Sequence, residues 1–335
     1  MARAWLSGIT AALLLVLIPT APARAACALT RYASVDLMAG PNGAVLVPVR
    51  IAGQDVWMVL QMSSGLAMIS PAAVRQLQLP TGWVRTDVRM MYNNQRIERE
   101  AKIESLVIGG ANFSGWTMFV EPGPERAVPT YALGRPIIGT LSARYMNAVD
   151  MELDLAAGKM NLFKQARCRG GQVYWSEEYT AETLYNDPTG LLFFAMEIDG
   201  RRVETSLNTL GPRARLSEAI ATRFFDFERS EAMRAELTRG NQPRVPGRIV
   251  GQRRMSLTAR ELSLPDLPVH VYDDGERRCE VLRDRPSAAI GFNNCGGFAP
   301  FEIGTDVLRQ LRIYIAPSEQ RIYITRNGAP AAPAP

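Results

Sequence analysis

The sequence predicts a mostly β protein built from two consecutive copies of one structural plan, each carrying short helices. The main observation is that the stretch beginning at Ile51, IAGQDVWMVLQMSSGLAMIS, recurs from Ile198 as IDGRRVETSLNTLGPRARLS, 147 residues later and without a gap. A second observation is that short β-rich runs, such as residues 44–51, 56–60 and 106–108, are separated by Gly and Asn. Two tandem copies account for 335 residues better than one large domain.

A later echo supports the repeat. The tripeptide IGT at residues 138–140 returns at residues 303–305, displaced by 165 residues. Each occurrence precedes a predicted strand pair that ends in a related sequence, KMNLF at residues 159–163 and RIYIT at residues 321–325.

Helices and turns have local signals. Pro71, at a first-turn position before AAVRQLQL, predicts a short helix, and Ser217 begins its counterpart in the second copy. Residues 88–98 are a predicted hairpin, because Asn93 and Asn94 near the centre tolerate the left-handed conformation of tight turns.

Composition excludes several classes of protein. With 47% hydrophobic and 21% charged residues, the chain is neither disordered nor fibrous. Basic residues exceed acidic ones by 38 to 33, but they are scattered arginines with only three lysines. Nucleic-acid binders usually cluster their charge, so we expect no nucleic-acid partner.

The N-terminus predicts export. Arg3 precedes an apolar run over residues 9–18, and Ala23-Arg24-Ala25 fits a cleavage site, so residues 1–25 are a predicted signal peptide. Lipid attachment at Cys27 is disfavoured because Arg24 occupies the position three residues before it. No later run is long enough to span a bilayer, and we expect a periplasmic or secreted protein.

Four cysteines remain after export, and an oxidising compartment favours their pairing. Among three possible pairings we favour Cys279 with Cys295 and Cys27 with Cys168. A zinc site is disfavoured because there is no close cysteine pair and His270 is the only histidine. We expect no metal and no cofactor.

The order of residues in each copy resembles the aspartic peptidase superfamily, specifically bacterial retropepsin-like proteins arranged in tandem like the two lobes of pepsin. Ile69-Ser70 and Leu216-Ser217 hold the positions eight and nine residues after the family's catalytic aspartate. The family's apolar-apolar-Gly packing element is matched by residues 137–139 and 302–304, although Glu302 fits an apolar position poorly.

The resemblance covers residues 28–327 and implies a two-lobed pepsin/retropepsin-like acid protease fold with pseudo-symmetric β-barrel lobes and short helices. The implied division is a lobe at 28–166, a connection at 167–180, a lobe at 181–327 and a Pro/Ala tail at 328–335.

The chain departs from the family at the two acids. Counting back nine residues from Ser70 and Ser217 places Gln61 and Asn208 at the aspartate positions. Aspartic peptidases need two carboxylates that share one proton, and a carboxamide cannot accept that proton. In the flanking loops Thr209 is retained, and the remaining positions are Met62, Ser63, Ser64, Leu210 and Gly211.

Other residues do not replace the acids. Asp55 and Glu204 share strand parity with Gln61 and Asn208 but lie roughly 20 and 13 Å along their strands. A serine nucleophile at Ser63 or Ser64 needs a base, and these serines are more consistent with a turn after the strand.

The resemblance places a flap on the predicted hairpin. Met90, Met91 and Tyr92 would contact an extended peptide there, and ordinary packing on the lobe is the alternative. In the second copy Arg244, Arg248, Arg253 and Arg254 could favour an acidic ligand or could be solvated surface charges.

The leading hypothesis is therefore a catalytically inactive, exported relative of aspartic peptidases that binds an extended peptide or protein partner between its lobes. One alternative is an active aspartic-type endopeptidase with displaced acids. A further alternative is a structural subunit of a cell-envelope assembly. No oligomeric state is predicted.

Overall fold

A computed structural model describes residues 29–84, 91–92, 95–123, 130–186, 190–231, 247–260, 262–274, 280–282, 289–293 and 299–328. The strands of the first half are β1 (Arg31–Asp36), β2 (Met38–Ala39), β3 (Val45–Ile51), β4 (Gln54–Gln61), β5 (Met68–Ile69), β6 (Thr81–Trp83), β7 (Met91–Tyr92), β8 (Gln95–Arg96), β9 (Arg99–Ile108), β10 (Ala111–Val120), β11 (Thr130–Ala132), β12 (Arg135–Ser142), β13 (Asp150–Asp154) and β14 (Lys159–Phe163).

The strands of the second half are β15 (Thr180–Thr183), β16 (Tyr185–Asn186), β17 (Leu192–Ile198), β18 (Arg201–Leu207), β19 (Ala214–Ser217), β20 (Ile249–Ala259), β21 (Leu262–Tyr272), β22 (Glu280–Leu282), β23 (Gly291–Asn293), β24 (Phe301–Ile303), β25 (Leu311–Ala316) and β26 (Arg321–Arg326). The helices are short: α1 (Pro71–Gln76), α2 (Ala143–Met146), α3 (Glu218–Phe225) and α4 (Thr305–Leu308).

Three sheets organise the molecule. The N-terminal lobe is a nine-stranded sheet in the order β2-β3-β4-β12-β5-β10-β9-β6, with β11 paired to β12. The C-terminal lobe is a seven-stranded sheet in the order β16-β17-β18-β24-β19-β21-β20. A six-stranded sheet, β1-β14-β13-β25-β26-β15, takes strands from both halves.

The strand pairings repeat between the lobes. In the N-terminal lobe β12 runs parallel to β4 and antiparallel to β5, and in the C-terminal lobe β24 does the same with β18 and β19. The predicted fold class, a mostly β, two-lobed pepsin-like architecture with short helices, is confirmed by this repeated order. Apolar side chains from both lobes form one buried core.

The register corrects one sequence alignment. Gly139 lies opposite Ile69, and Phe301 lies opposite Leu216, which is the residue equivalent to Ile69. The second halves of the copies are therefore offset by 162 residues, not 165, and the counterpart of residues 302–304 is residues 140–142, not 137–139. The glycine common to both tripeptides suggested the wrong offset. Gly139 and Gly304 are not equivalent, because Gly139 lies against the backbone of Met68 and Gly304 lies against the backbone of Arg213.

Local sequence signals correctly predicted a capped helix and a strand pair within the described residues. Ser70 caps α1 by accepting a hydrogen bond from the Ala73 N–H at 3.2 Å. The predicted hairpin is present, with Met91 opposite Arg96. In the part of the chain that the structure describes, no helix is long and apolar enough to cross a membrane.

Candidate functional site

The ends of two equivalent strands meet between the lobes. Gln61 is the last residue of β4, and Asn208 directly follows β18. The Thr209 hydroxyl accepts a hydrogen bond from the Met62 N–H at 3.1 Å and donates one to the Leu60 carbonyl. Gln61 and Asn208 are therefore brought to one place by a contact between the lobes.

This contact is one-sided. Met62 is the residue equivalent to Thr209, and its thioether side chain, which is buried, has no hydroxyl to return the interaction. A second contact helps to hold the lobes, because the Val45 N–H donates to the Thr209 carbonyl at 2.9 Å. The Thr305 hydroxyl also donates to the Gly43 carbonyl at 3.3 Å, so Thr209 takes part in three of these four hydrogen bonds.

Asn208 is buried, and both ends of its amide have partners. Its Nδ2 donates to Glu302 Oε2 at 2.9 Å, and its Oδ1 accepts from the Leu210 N–H at 3.0 Å. These contacts fix the orientation of the amide. They also engage the atoms that would otherwise orient a water molecule.

The carboxyl group of Glu302 is the hydrogen-bond partner of the Asn208 side chain. Glu302 lies in β24, is 3% exposed, and has Arg215 Nη1 at 3.5 Å. Burial raises the pKa of Glu302, while the charge of Arg215 and the hydrogen bond from Asn208 act in the opposite direction. Sequence reasoning missed this neighbour because it searched along the strand of Asn208. The signal was a glutamate within an otherwise apolar stretch, FEI at residues 301–303.

The N-terminal lobe has no matching acid. Thr140 is equivalent to Glu302, and its Oγ1 accepts a hydrogen bond from the Met68 N–H at 3.1 Å. Gln61 is half-buried and lies opposite Ser142, whose hydroxyl donates to the Gly65 carbonyl at 3.2 Å. The two halves of the site are therefore chemically different.

The loop serines form a turn, as predicted. The Ser64 hydroxyl accepts a hydrogen bond from the Leu66 N–H at 3.0 Å, and Ser63 is buried. His270 lies on β21 of the other lobe, where a ring nitrogen is 3.0 Å from Gln252. Burial, followed by the charges of two nearby arginines, lowers the pKa of His270.

The carboxylates first considered as substitutes have other partners. Asp55 forms a 2.8 Å ion pair with Arg50, and Glu204 accepts a hydrogen bond from Tyr185 at 2.8 Å. Among the described residues, no cluster of three or more His, Cys, Asp or Glu could hold a metal ion.

The predicted flap is partly described. The Met91 side chain is 50% exposed and Tyr92 is half-buried, while Met90 lies outside the described residues. Other predictions also fall outside them: residues 1–25, the tail from 329 onward, Arg244, Cys27, Cys279 and Cys295. Cys168 alone of the cysteines is described, so both disulfide pairings stay predictions.

The other predicted arginines have mixed environments. Arg254 forms an exposed ion pair with Asp266, and Arg253 donates to the Phe225 carbonyl. Arg248 lies just before β20. Their sequence proximity therefore does not make them one surface.

Comparison with known proteins found similarity only among solved structures. No family model matches the sequence, and no curated protein matches it. Basic 7S globulin from soybean is 9% identical, with a TM-score of 0.45 over 89% of this chain and 96% of that one. An aspartic proteinase from Irpex lacteus is 8% identical, with a TM-score of 0.47 over 88% and 97%. Conglutin gamma, a basic 7S globulin from lupine seeds, is 8% identical, with a TM-score of 0.46 over 90% and 96%.

Proposed function

We propose that this chain is an exported, catalytically inactive relative of the aspartic peptidases that binds an extended polypeptide in the cleft between its lobes. The observation that carries the proposal is the state of Asn208, whose amide is held at both ends by Glu302 and Leu210. An aspartic peptidase needs a second carboxyl group to share a proton with the first, and amides occupy both family positions.

Retention of the surrounding architecture supports a binding role. The lobes still meet through Thr209, and the hairpin that carries Met91 and Tyr92 is still present. An exposed methionine beside a half-buried tyrosine suits contact with varied peptides, and the edges of a strand pair offer backbone groups for strand addition.

An active endopeptidase is a second candidate because Glu302 supplies one buried carboxyl group at the site. That mechanism requires a second carboxyl group within hydrogen-bonding distance of the first. The side-chain partners of Glu302 among the described residues are Asn208 and Arg215, which favours inactivity.

The test is incubation of the purified protein with a diverse synthetic peptide mixture across acidic and neutral pH, followed by mass spectrometry of free and retained peptides. We expect retention of intact peptides. Cleavage that is lost in Glu302→Gln or in Gln61→Ala would contradict inactivity. Absence of any retained peptide would contradict the binding role and favour the envelope-assembly hypothesis.

Matched variants sharpen the experiment. Tyr92→Ala should weaken retention, whereas Tyr32→Ala, an exposed tyrosine on the shared sheet, should not. A triple variant, Gln61→Asp/Asn208→Asp/Glu302→Thr, restores both acids and gives the C-terminal lobe the threonine that the N-terminal lobe has at residue 140. Cleavage by this variant alone would show that the cleft accommodates peptides.

A further inference from the structure

One face of the C-terminal lobe sheet carries a row of polar side chains across five neighbouring strands. Residues that pair directly across strands project from the same face of a sheet. The pairings join Ser206 to Glu302, Glu302 to Arg215, Arg215 to His270, and His270 to Gln252. The row begins beside Asn208, because the Asn208 amide contacts Glu302.

The equivalent row in the N-terminal lobe is largely apolar. Its pairings join, in the same order, Val59, Thr140, Met68, Phe119 and Glu100. The fold therefore does not require charge at the three central positions, which Thr140, Met68 and Phe119 occupy in the N-terminal lobe. Arg215 occupies the position equivalent to Met68. The C-terminal lobe therefore has a guanidinium group where the N-terminal lobe has a thioether.

Exposure rises along the polar row. Ser206 and Glu302 are buried, the Arg215 side chain is 31% exposed, His270 is half-buried and Gln252 is exposed. The row therefore leads from the strand end at the centre of the molecule to the surface. Arg215 is its first member that a ligand can reach.

The Arg215 guanidinium group is held in place but incompletely satisfied. Its Cζ lies 4.6 Å from the centroid of the Tyr272 ring, a cation–π contact that helps to hold the side chain. Its Nη1 contact with Glu302 is long, at 3.5 Å, and its Nε, which is buried, has no hydrogen-bond partner among the described residues. A planar guanidinium group in this state is suited to a carboxylate, which it binds through two parallel hydrogen bonds.

We propose that Arg215, with Arg213 and His270 beside it, forms a carboxylate-binding subsite for the polypeptide held between the lobes. This inference rests on the proposed function and adds a ligand chemistry to it. The carboxylate is either an Asp or Glu side chain or the C-terminus of the bound polypeptide.

The local electrostatics agree with this assignment. Burial, followed by the charges of Arg213 and Arg215, lowers the pKa of His270. Arg213 is itself exposed and has Asp306 at 3.4 Å. Burial raises the pKa of Glu302, while the charge of Arg215 and the hydrogen bond from Asn208 act against this shift.

The test uses His270 as a reporter, because it is the only histidine in the sequence. Its ring resonance is followed by NMR against pH in protein without a histidine tag. N-acetyl-glutamate N-methylamide supplies a side-chain carboxylate, N-acetyl-alanine supplies a C-terminal carboxylate, and N-acetyl-glutamine N-methylamide is the neutral control. Sodium chloride is matched throughout.

We expect a bound carboxylate to raise the pKa of His270 by about 0.5, because an adjacent negative charge favours the imidazolium form. The carboxylate with the larger effect identifies the source. Arg215→Met should abolish the response. Arg215→Met/Glu302→Thr should abolish it too, and this double variant leaves no unpaired glutamate because it reproduces the pair that the N-terminal lobe has.

Arg50→Met is the matched control, since Arg50 pairs with Asp55 in the N-terminal lobe and its loss should leave the response intact. An unchanged pKa of His270 with both carboxylates, or a response that survives in both Arg215 variants, overturns the subsite. If intact neutral peptides are retained without any carboxylate response, only the subsite fails. If the carboxylate response is present but no peptide is retained, the subsite stands and the proposed function fails.

Discussion

The side-chain amide of Asn208 donates a hydrogen bond to a carboxylate oxygen of Glu302, with 2.9 Å between Nδ2 and Oε2. This pairing is favourable because the buried carboxyl group of Glu302 accepts a hydrogen bond from the neutral amide of Asn208. An aspartate at residue 208 would instead face a second carboxyl group. The amide at residue 208 and the carboxyl group at residue 302 therefore form one coupled feature.

Asn208→Asp should destabilise the protein in a pH-dependent way. Two adjacent buried carboxyl groups share one proton, so one pKa rises above its unfolded value. The protonated carboxyl pair is tolerated at acidic pH, and the variant loses stability as pH rises through the raised pKa. We expect a loss of about 3 kcal/mol at neutral pH and a smaller loss near pH 4, measured by urea unfolding.

Gln61→Asp is the control for this change. It introduces the same acid at the equivalent position, where the neighbouring strand β12 supplies Thr140 in place of Glu302. Its effect on stability should depend much less on pH. Equal pH dependence in the two variants would contradict the role of Glu302.

Thr209→Val should weaken the junction between the lobes. The substitution keeps the shape of the side chain but leaves the Met62 N–H and the Leu60 carbonyl without their hydroxyl partner. We expect a loss of about 2 to 4 kcal/mol in the free energy of unfolding. Thr140→Val removes a hydroxyl that acts within one lobe and should cost about 1 kcal/mol.

Asp150→Asn should flatten the dependence of stability on pH. Asp150 lies in the shared sheet, and burial raises its pKa to about 6, against the hydrogen bonds from the Ala166 N–H and the Tyr314 hydroxyl. A folded pKa above the unfolded value of 3.8 means that its contribution is greatest below about pH 4 and is lost by about pH 6.

The wild-type protein should therefore lose about 1 to 3 kcal/mol through Asp150 across this range, and Asp150→Asn should not. Chemical denaturation at several pH values measures the difference. Asp36→Asn, which alters an exposed carboxylate paired with Lys159, should leave the slope unchanged. A wild-type slope retained in Asp150→Asn would assign the effect to another group.

Leu133→Asn should stabilise the β11–β12 hairpin. Leu133 and Gly134 both have positive φ, 47° and 73°, between the paired residues Ala132 and Arg135. This turn favours Asn at its first position, and the leucine side chain is 81% exposed, so its loss removes little packing. We expect a gain of about 0.5 to 1 kcal/mol, read from thermal unfolding, whereas Leu133→Val should destabilise.

The sequence predicted what depends on neighbouring residues and on a gap-free repeat. The run at residues 44–51 became β3, the Pro71 helix became α1, and the 147-residue offset placed Gln61 and Asn208 at equivalent strand ends. These features follow from local periodicity and from the conserved length of the first half of each copy.

Features that depend on pairing between distant strands could not be predicted from local sequence patterns. The 162-residue offset is defined by the pairing of Gly139 with Ile69 and of Phe301 with Leu216, which three matching letters do not reveal. The contact of Glu302 with Asn208 joins residues 94 positions apart. The polar row requires the order of five strands, which local patterns leave open.

The shared six-stranded sheet makes the two copies a single cooperative unit. β13 of the first copy pairs with β25 of the second, with Glu152 opposite Tyr314. Separation of the copies would leave each with a three-stranded remnant and a newly bare central edge, and bare edges template aggregation. We therefore expect the two halves to unfold in one calorimetric transition. A chain truncated between them should precipitate rather than yield a folded single lobe.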